Sequence, residues 1–400
     1  MQKIVLAYSG GLDTSFCIPY LKEKYQTEVH AITVDCMGLS TEEKEELQKK
    51  AISHGADHFD CLDGTLMLFD RIIRPLIMGN VLKDRTYPLS VGSERFVQAL
   101  LITKYAFSVG ADAVAHGSTG AGNDQIRFDV ALRTLAPDLQ IITPIRDEQL
   151  TRYDTTAFLR ASGYEVPQKT TDYSINRGIW GTTVGGKETT VSDQALPMNA
   201  WPELPVPHEM SDTPEEISIR FAKGIPTHIN GAAMKPLQLL HELRRIGIQH
   251  GIGRGMHLGD TILGFKGRVG FEAPVATIVY AAHRELEKLT LSKWQRHFKD
   301  HLADQYGLML HEGLYFDPLM RDIEAFFEST QIVVDGEVSL YIYRGNILPT
   351  KSSSPNSLMN SNVARYGEDA AGWTGLEARA YAKLYSISSQ VTARSKGQQS

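Results

Sequence analysis

Ile4 to Tyr8 is a short apolar run that breaks off at two adjacent glycines, Gly10 and Gly11, and meets at once the helix-opening residues Asp13, Thr14 and Ser15. Few folds accommodate that order of strand, open loop and helix start. Gly10 and Gly11 let the backbone approach an anion closely and adopt conformations closed to other residues. The first amides of the helix have no partner within it and attract phosphate, by up to ~2 kcal/mol in favourable sites. Ala7-Tyr-Ser-Gly-Gly-Leu-Asp-Thr-Ser15 therefore reads as a phosphate loop at a strand end, against the plainer alternative of an ordinary strand–helix turn. It has neither the G-x-x-x-x-G-K of a Walker loop nor the spacing of a dinucleotide fingerprint.

The pattern around this loop is that of a parallel sheet covered by helices. Val29 to Val34, Ala113 to His116 and Gln140 to Thr143 read as further buried strands. Ser40-Thr-Glu-Glu43 is a capping box opening a charged helix that should end near Gly55. The expected class is α/β, a doubly wound parallel sheet. After Gly163 the texture changes. Residues 165–210 are rich in Thr, Pro and Gly and predict loops with short strands. Ile217 to Leu348 mixes strands and helices, with a long amphipathic stretch around Ala281 to His301, and predicts an α+β region without an internal repeat. Lys351 to Asn362 is polar and is the expected linker. Beyond it Trp373, Leu376, Ala380, Leu384, Ile387 and Val391 recur at helical spacing, with Thr374-Gly-Leu-Glu377 as the cap of a terminal helix.

Composition sets limits on the setting. No apolar run approaches the ~20 residues that span a bilayer, and no cleavable signal is expected before the first strand. Cys17, Cys36 and Cys61 contain no C-x-x-C pair, so a reduced, cytoplasmic setting is expected. A net charge of -6 argues against a broad grip on nucleic acid, but leaves nucleotide binding open, because a few backbone amides suffice to hold a phosphate.

A second Gly-rich turn, His116-Gly-Ser-Thr-Gly-Ala-Gly-Asn-Asp-Gln-Ile-Arg-Phe128, follows the Ala113 strand. Thr119 and Asn123 can donate and accept, Asp124 can hold an ammonium, and Arg127 can fork onto a carboxylate. Such a set suits amino-acid substrates carrying both charges. The competing reading is a capped helix with a surface salt bridge.

The first loop resembles the pyrophosphate-binding loop of enzymes that cleave ATP to AMP and pyrophosphate, and the second motif resembles the argininosuccinate synthase family in particular. Tyr87-Pro-Leu, Asp172-Tyr-Ser-Ile-Asn176, Trp180-Gly, Gly185-Gly, Lys266-Gly-Arg268 and Ala281-Ala-His-Arg-Glu-Leu-Glu287 extend that resemblance over nearly the whole chain. It implies a nucleotide-binding domain over 1–164, a synthetase and oligomerisation domain over 165–362, and a helical tail over 363–400. It further implies an AMP-forming ligase that condenses citrulline with aspartate, with ATP and Mg²⁺, in a homotetramer binding neither membrane nor nucleic acid.

Carried over by position, Ala7, Tyr8, Ser9, Gly10, Gly11, Leu12, Asp13, Thr14 and Ser15, with Val34 and Gly117, would bind ATP. Thr119, Asn123 and Asp124 would bind aspartate; Tyr87, Asn123, Arg127, Ser174 and Thr183 would contact citrulline. Ser9, Asp13 and Asp124 are the expected catalytic residues, and no protein-held metal is expected. The chain departs from the family pattern in places. Thr183 stands for a Ser, Ala121 for a Lys, and Gly92 for a citrulline-contacting Ser, with Ser93 one place late. Gly259 and Phe271 occupy the positions of a Glu and a Tyr that hold citrulline's amino-acid end. Asp260 is the expected replacement for that Glu; an N-acylated citrulline, which needs no such acid, is the alternative.

Other features rank lower. The pairs His54/His58 and His297/His301 have metal-compatible spacing but no third ligand in view, and Cys17 reads as core rather than nucleophile. A tRNA-modifying enzyme with the same loop would need a basic face, a glutamine-dependent synthetase would need a glutaminase domain, and a silent nucleotide sensor would not need both motifs' polar groups.

Overall fold

A computed structural model describes residues 1–37, 39–164, 166, 173–359, 363, 366–367 and 372–397. Asp172 of the fourth motif and residues 360–362 of the expected linker lie outside the described residues. The first strands are β1 (Lys3–Ala7), β2 (Glu28–Asp35), β3 (His58–Asp63), β4 (Ala113–His116) and β5 (Gln140–Ile142). They form one parallel sheet in the order β3-β2-β1-β4-β5, with Ile4 paired to Val29 on one side and Ala113 on the other. Ile4, Val5 and Leu6 are fully buried although they alternate between faces, because each face carries its own apolar cluster. That is why β1 is continuously apolar. Chain order reverses at β1, so the loops after β1 and β4 open a crevice between them at the carboxyl edge, where such sheets bind ligands.

Helix α1 (Leu12–Tyr25) starts just ahead of Asp13, Thr14 and Ser15, the residues read from the sequence as opening it. Its N-cap is Gly11, which offers no side-chain hydrogen bond. Helix α2 (Thr41–Ser53) has the expected box: Ser40 accepts from the Glu43 amide, and Glu43 accepts from the Ser40 amide at 2.8 Å.

The remaining strands are β6 (Ser174–Gly178), β7 (Gly181–Gly185), β8 (Glu215–Ala222), β9 (Ile225–Ile229), β10 (Ala232–Ala233), β11 (Arg254–Asp260), β12 (Lys266–Glu272), β13 (Gly336–Tyr343) and β14 (Asn346–Ser353). They make two antiparallel sheets, β10-β9-β8-β13-β14 and β11-β12-β7-β6. The stretch Ala281 to His301 is not one helix. It breaks between Pro274–Thr290 and Lys293–His311, where Ser292 caps the second helix through Gln295. The expected linker likewise starts late, because Lys351 belongs to β14.

Residues 1–355 form one compact unit, and its larger apolar cluster draws residues from Val5 to Ile342. Inside it lies a polar knot. Lys299 Nζ sits 3.1 Å from Glu287 Oε2 and donates to the Met78 carbonyl, while Asn80 and Gln331 donate their amides to Glu287 at 2.7 Å each. Residues 356–400 form a second unit. The expected terminal helix is two helices, Gly375–Tyr385 and Ile387–Gly397; Thr374 and Glu377 close a capping box on the first, which buries none of its residues. No helix among the described residues is long and apolar enough to cross a membrane.

Candidate active site

The crevice at the β1–β4 edge is a cleft of about 850 Å³. Its walls include Ala7 to Thr14, Val34, Gly117 and Asp124, and so bring the phosphate loop and the second motif together. Gly10 takes a φ of +74°, and a Cβ there would collide with Leu47 of α2. The loop is held open by its own side chains. The Ser9 amide donates to Thr14 Oγ1 at 3.3 Å, the two hydroxyls lie 3.1 Å apart, and Thr14 Oγ1 donates to the Gly11 carbonyl. Because Gly11 supplies no cap, the first amides of α1 are left to a ligand.

Burial raises the Asp13 carboxyl above its ordinary value, with Arg152 across the cleft opposing the rise. Lys50 reaches from α2 to the Gly10 carbonyl, and burial lowers its ammonium. Sequence reading missed Lys50, Arg152, Glu94 and Arg95, all of them in the cleft wall. Lys50 and Arg152 look like ordinary exposed helix charges in sequence, and only the packing of α2 on the loop shows otherwise.

Asp124 opens the helix Asn123–Leu135 and is clamped from both sides. Arg95 Nε donates to Oδ2 at 3.0 Å and Arg127 Nη1 to Oδ1 at 2.8 Å. The carboxyl loses stability as an anion through desolvation, but the two guanidiniums outweigh that and hold it at about 2. Arg127 also donates through Nε to the His311 carbonyl at 2.9 Å. A Cβ on Gly92 would lie 2.8 Å from Arg127 Nη1, so the glycine standing for a serine leaves the guanidinium its room. His116, at the end of β4, bonds Asp129 through Nε2 at 3.0 Å.

The other predicted residues are not in the walls of this cleft. Asn123 Oδ1 accepts from the Ile262 amide in the β11–β12 turn at 3.0 Å, and Thr119 is exposed in the loop before it. Tyr87 is buried, stacked on His257 at 5.4 Å and next to Phe271 at 5.5 Å. Thr183 faces Phe271 in the β7–β12 register, and Ser174 is exposed at the start of β6. Asn123, Tyr87 and Thr183 thus meet the hairpin of β11 and β12, whereas Ser174 lies on the edge strand β6, with β7 between it and β12. Asp260 is exposed and bound to Lys266 Nζ at 2.6 Å. The carboxylate next to Gly259 is Asp84: a Cβ on Gly259 would lie 2.9 Å from Asp84 Oδ2, which Lys83 Nζ meets at 2.7 Å.

Among the described residues, no three His, Cys, Asp or Glu side chains gather as a metal site. His54 stacks on Tyr164, and His297 meets His301 edge to face. Cys17 is fully buried, and burial raises its thiol.

A parallel sheet with an uncapped helix at its switch point, facing a carboxylate clamped by two arginines, defines an α/β fold with an anion-binding cleft. Comparison with known proteins narrows this. The family model "Arginosuccinate synthase N-terminal HUP domain" matches residues 3–165, and "Arginosuccinate synthase C-terminal domain" matches 173–392. Argininosuccinate synthase of Xanthomonas axonopodis pv. citri (strain 306) is 36% identical, over 98% of this chain and 95% of its own. That of Carboxydothermus hydrogenoformans is 37% identical over 98% of both chains, and that of Synechococcus sp. (strain JA-3-3Ab) 37% over 92% and 91%. The chain belongs to the argininosuccinate synthase family and is an enzyme of that type.

Proposed function

We propose that the chain condenses citrulline with aspartate at the expense of ATP, through citrullyl-AMP, giving argininosuccinate, AMP and pyrophosphate in arginine biosynthesis. The observation that carries this is the single cleft running from the free amides of α1 to the clamped Asp124. Citrulline's ureido carbon is a poor electrophile because two nitrogens feed it electrons. Its oxygen attacks the α-phosphorus, the bond to pyrophosphate breaks, and the carbon gains AMP as a leaving group. Aspartate's neutral amine then displaces AMP. Rate enhancement comes from positioning and from fixed donors around developing phosphate charge.

In this reading Ala7 to Ser15 cradle the phosphates, with Ser9 and Asp13 closest to the chemistry, while Val34 and Gly117 flank the nucleotide. Lys50 and Arg152 add positive charge opposite the loop. Thr119, Asn123 and Asp124 take aspartate, with Asp124 holding its ammonium; Tyr87, Asn123, Arg127, Ser174 and Thr183 take citrulline. Asp84 serves in place of the acid absent at Gly259, which favours free citrulline over an acylated form. Mg²⁺ travels with ATP and is held by phosphate oxygens and water, a demand that Asp13 at the cleft wall fits as an outer partner. Domains over 1–164, 165–362 and 363–400, a cytoplasmic location and a homotetramer belong to the same proposal. The exposed Leu376, Tyr381, Leu384 and Tyr385 of the tail support the last.

The test is pyrophosphate release from ATP with citrulline, with and without aspartate. Release that requires citrulline, with ¹⁸O from the ureido oxygen recovered in AMP, is expected. Release without citrulline, or unlabelled AMP, rejects the reading.

A further inference from the structure

Glu94 starts the helix Glu94–Ser108 and lines the cleft together with Arg95, Gln98, Gly117 and Asp124. It is 3% exposed, and its Oε1 is buried without a hydrogen-bond partner. A Cβ on Gly178, at the end of β6, would collide with that oxygen, so the hairpin of β6 and β7 presses on the carboxyl and leaves it no room to swing out. A buried, unpartnered acid is unfavourable for a fold, and a cleft is where such groups are found with a task.

The charges around it are few. Arg95 comes from its own helix, Asp124 from the next, and Asp35 with the Cys36 thiol from the end of β2. Arg177 of β6, Asp13 and Arg152 line the same cleft. Burial pushes the Glu94 carboxyl up to about 8; Arg95 opposes the rise, while Asp124 and Asp35 add to it.

Aspartate arrives with an α-ammonium, but the nucleophile must be the free amine. Asp124 is too weak a base to accept that proton, since two guanidiniums hold it at about 2. His116 is 1% exposed and engaged with Asp129. Glu94 shares the cleft wall with Asp124 and has no competing partner.

Building on the citrulline–aspartate reading, we propose that Glu94 accepts the proton released as aspartate's ammonium becomes the attacking amine. The Glu94 carboxylate takes one proton, and the freed nitrogen lone pair bonds to the central carbon of citrullyl-AMP. The C–O bond to AMP then breaks, AMP leaving with the electron pair, and the second proton on the new C–N nitrogen passes to the departing phosphate. Glu94 returns its proton to solvent when the products leave. Adenylylation itself makes no demand on Glu94.

The experiment compares the full-length wild type with Glu94→Gln, which keeps shape and removes titration. Each protein is first given ATP, Mg²⁺ and citrulline, and a single turnover of pyrophosphate release is followed. Aspartate is then added and argininosuccinate is timed by rapid quench. The first step should agree within about twofold. The second should fall about 100-fold, in the range of general-base catalysis, and should lose the wild type's bend near pH 8; Glu94→Asp should restore part of the rate. An unchanged second step or pH profile overturns the proposal. So does equal loss of both steps, which would mark Glu94 as structural. Failure of the wild type to release pyrophosphate with citrulline would instead remove the reaction reading, and the proposal with it.

Discussion

Arg127 and His311 meet across 184 residues of chain, with Arg127 Nη2 3.2 Å from His311 Nδ1 and Arg127 Nε bonded to the His311 carbonyl. The contact fixes the tautomer. Nδ1 accepts from the guanidinium, so the proton sits on Nε2 and is donated to the Asp260 carbonyl at 3.2 Å. Burial first, then Arg127 and Lys83, hold His311 at about 4. In the unfolded chain the same group titrates near 6.5. Between these values the unfolded state binds more protons, so stability is present above about 6.5 and is lost as pH falls towards 4. The expected loss from this residue is roughly 2–3 kcal/mol by pH 4. Denaturant titration of wild type and His311→Gln across that range should show a flatter pH dependence in the variant; parallel curves reject the assignment.

Ser9→Ala and Asp13→Ala should each lower pyrophosphate release by more than tenfold. Their effect on stability should stay within about 1 kcal/mol, because neither side chain is part of an apolar cluster. Near-normal turnover in both would take the loop out of the mechanism.

Asp84→Asn should raise KM for citrulline by about 10- to 100-fold, the equivalent of about 1.5–3 kcal/mol for a hydrogen bond to a charged group. Asp260→Asn should change KM little, since Asp260 is exposed and bound to Lys266. The reverse ranking would return the role to Asp260. A preference for N-acetyl- or N-succinylcitrulline would show that no ammonium is bound there.

Lys299→Ala should destabilise the protein by about 3–5 kcal/mol, because it strands the buried Glu287 without its cation. The double change Lys299→Met with Glu287→Gln should recover part of the loss. A single-variant effect below about 1 kcal/mol would mean that water reaches the knot.

Truncation after Gly367 removes both tail helices. Light scattering should then report a smaller assembly than the full chain forms, since the first helix buries none of its residues and short helices are marginal alone. An unchanged mass would place the oligomer contacts elsewhere.

The sequence disclosed what short-range chemistry controls. The glycines before α1, the Ser40–Glu43 and Thr374–Glu377 boxes and the apolar run of β1 are all found as read. Breaks inside amphipathic stretches were less visible. Ser292 caps a new helix in the middle of the pattern from Ala281 to His301, and Ser386 does not interrupt the spacing of the tail's apolar residues. Long-range partners were out of reach. Asp84 lies beside Gly259 only because the loop before Tyr87 folds against β11, and Glu94 resembles any acid in a helix's first turn until β6 closes over it.

Gly117 joins the two loops of the cleft. A Cβ there would lie 3.1 Å from Thr14 Cγ2 and 3.2 Å from the Thr14 nitrogen, so the backbone of the second motif abuts the main chain and the Thr14 methyl at the start of α1. The reach from the phosphate cradle to the amino-acid pocket is therefore a backbone dimension, set like the gap of a fixed jig. In the proposed reaction, exchanges such as those at Ala121, Thr183 and Gly92 would retune which amino acid is accepted while the acceptor oxygen keeps its distance from phosphorus. Divergence in this pocket is thereby uncoupled from the step that activates the substrate.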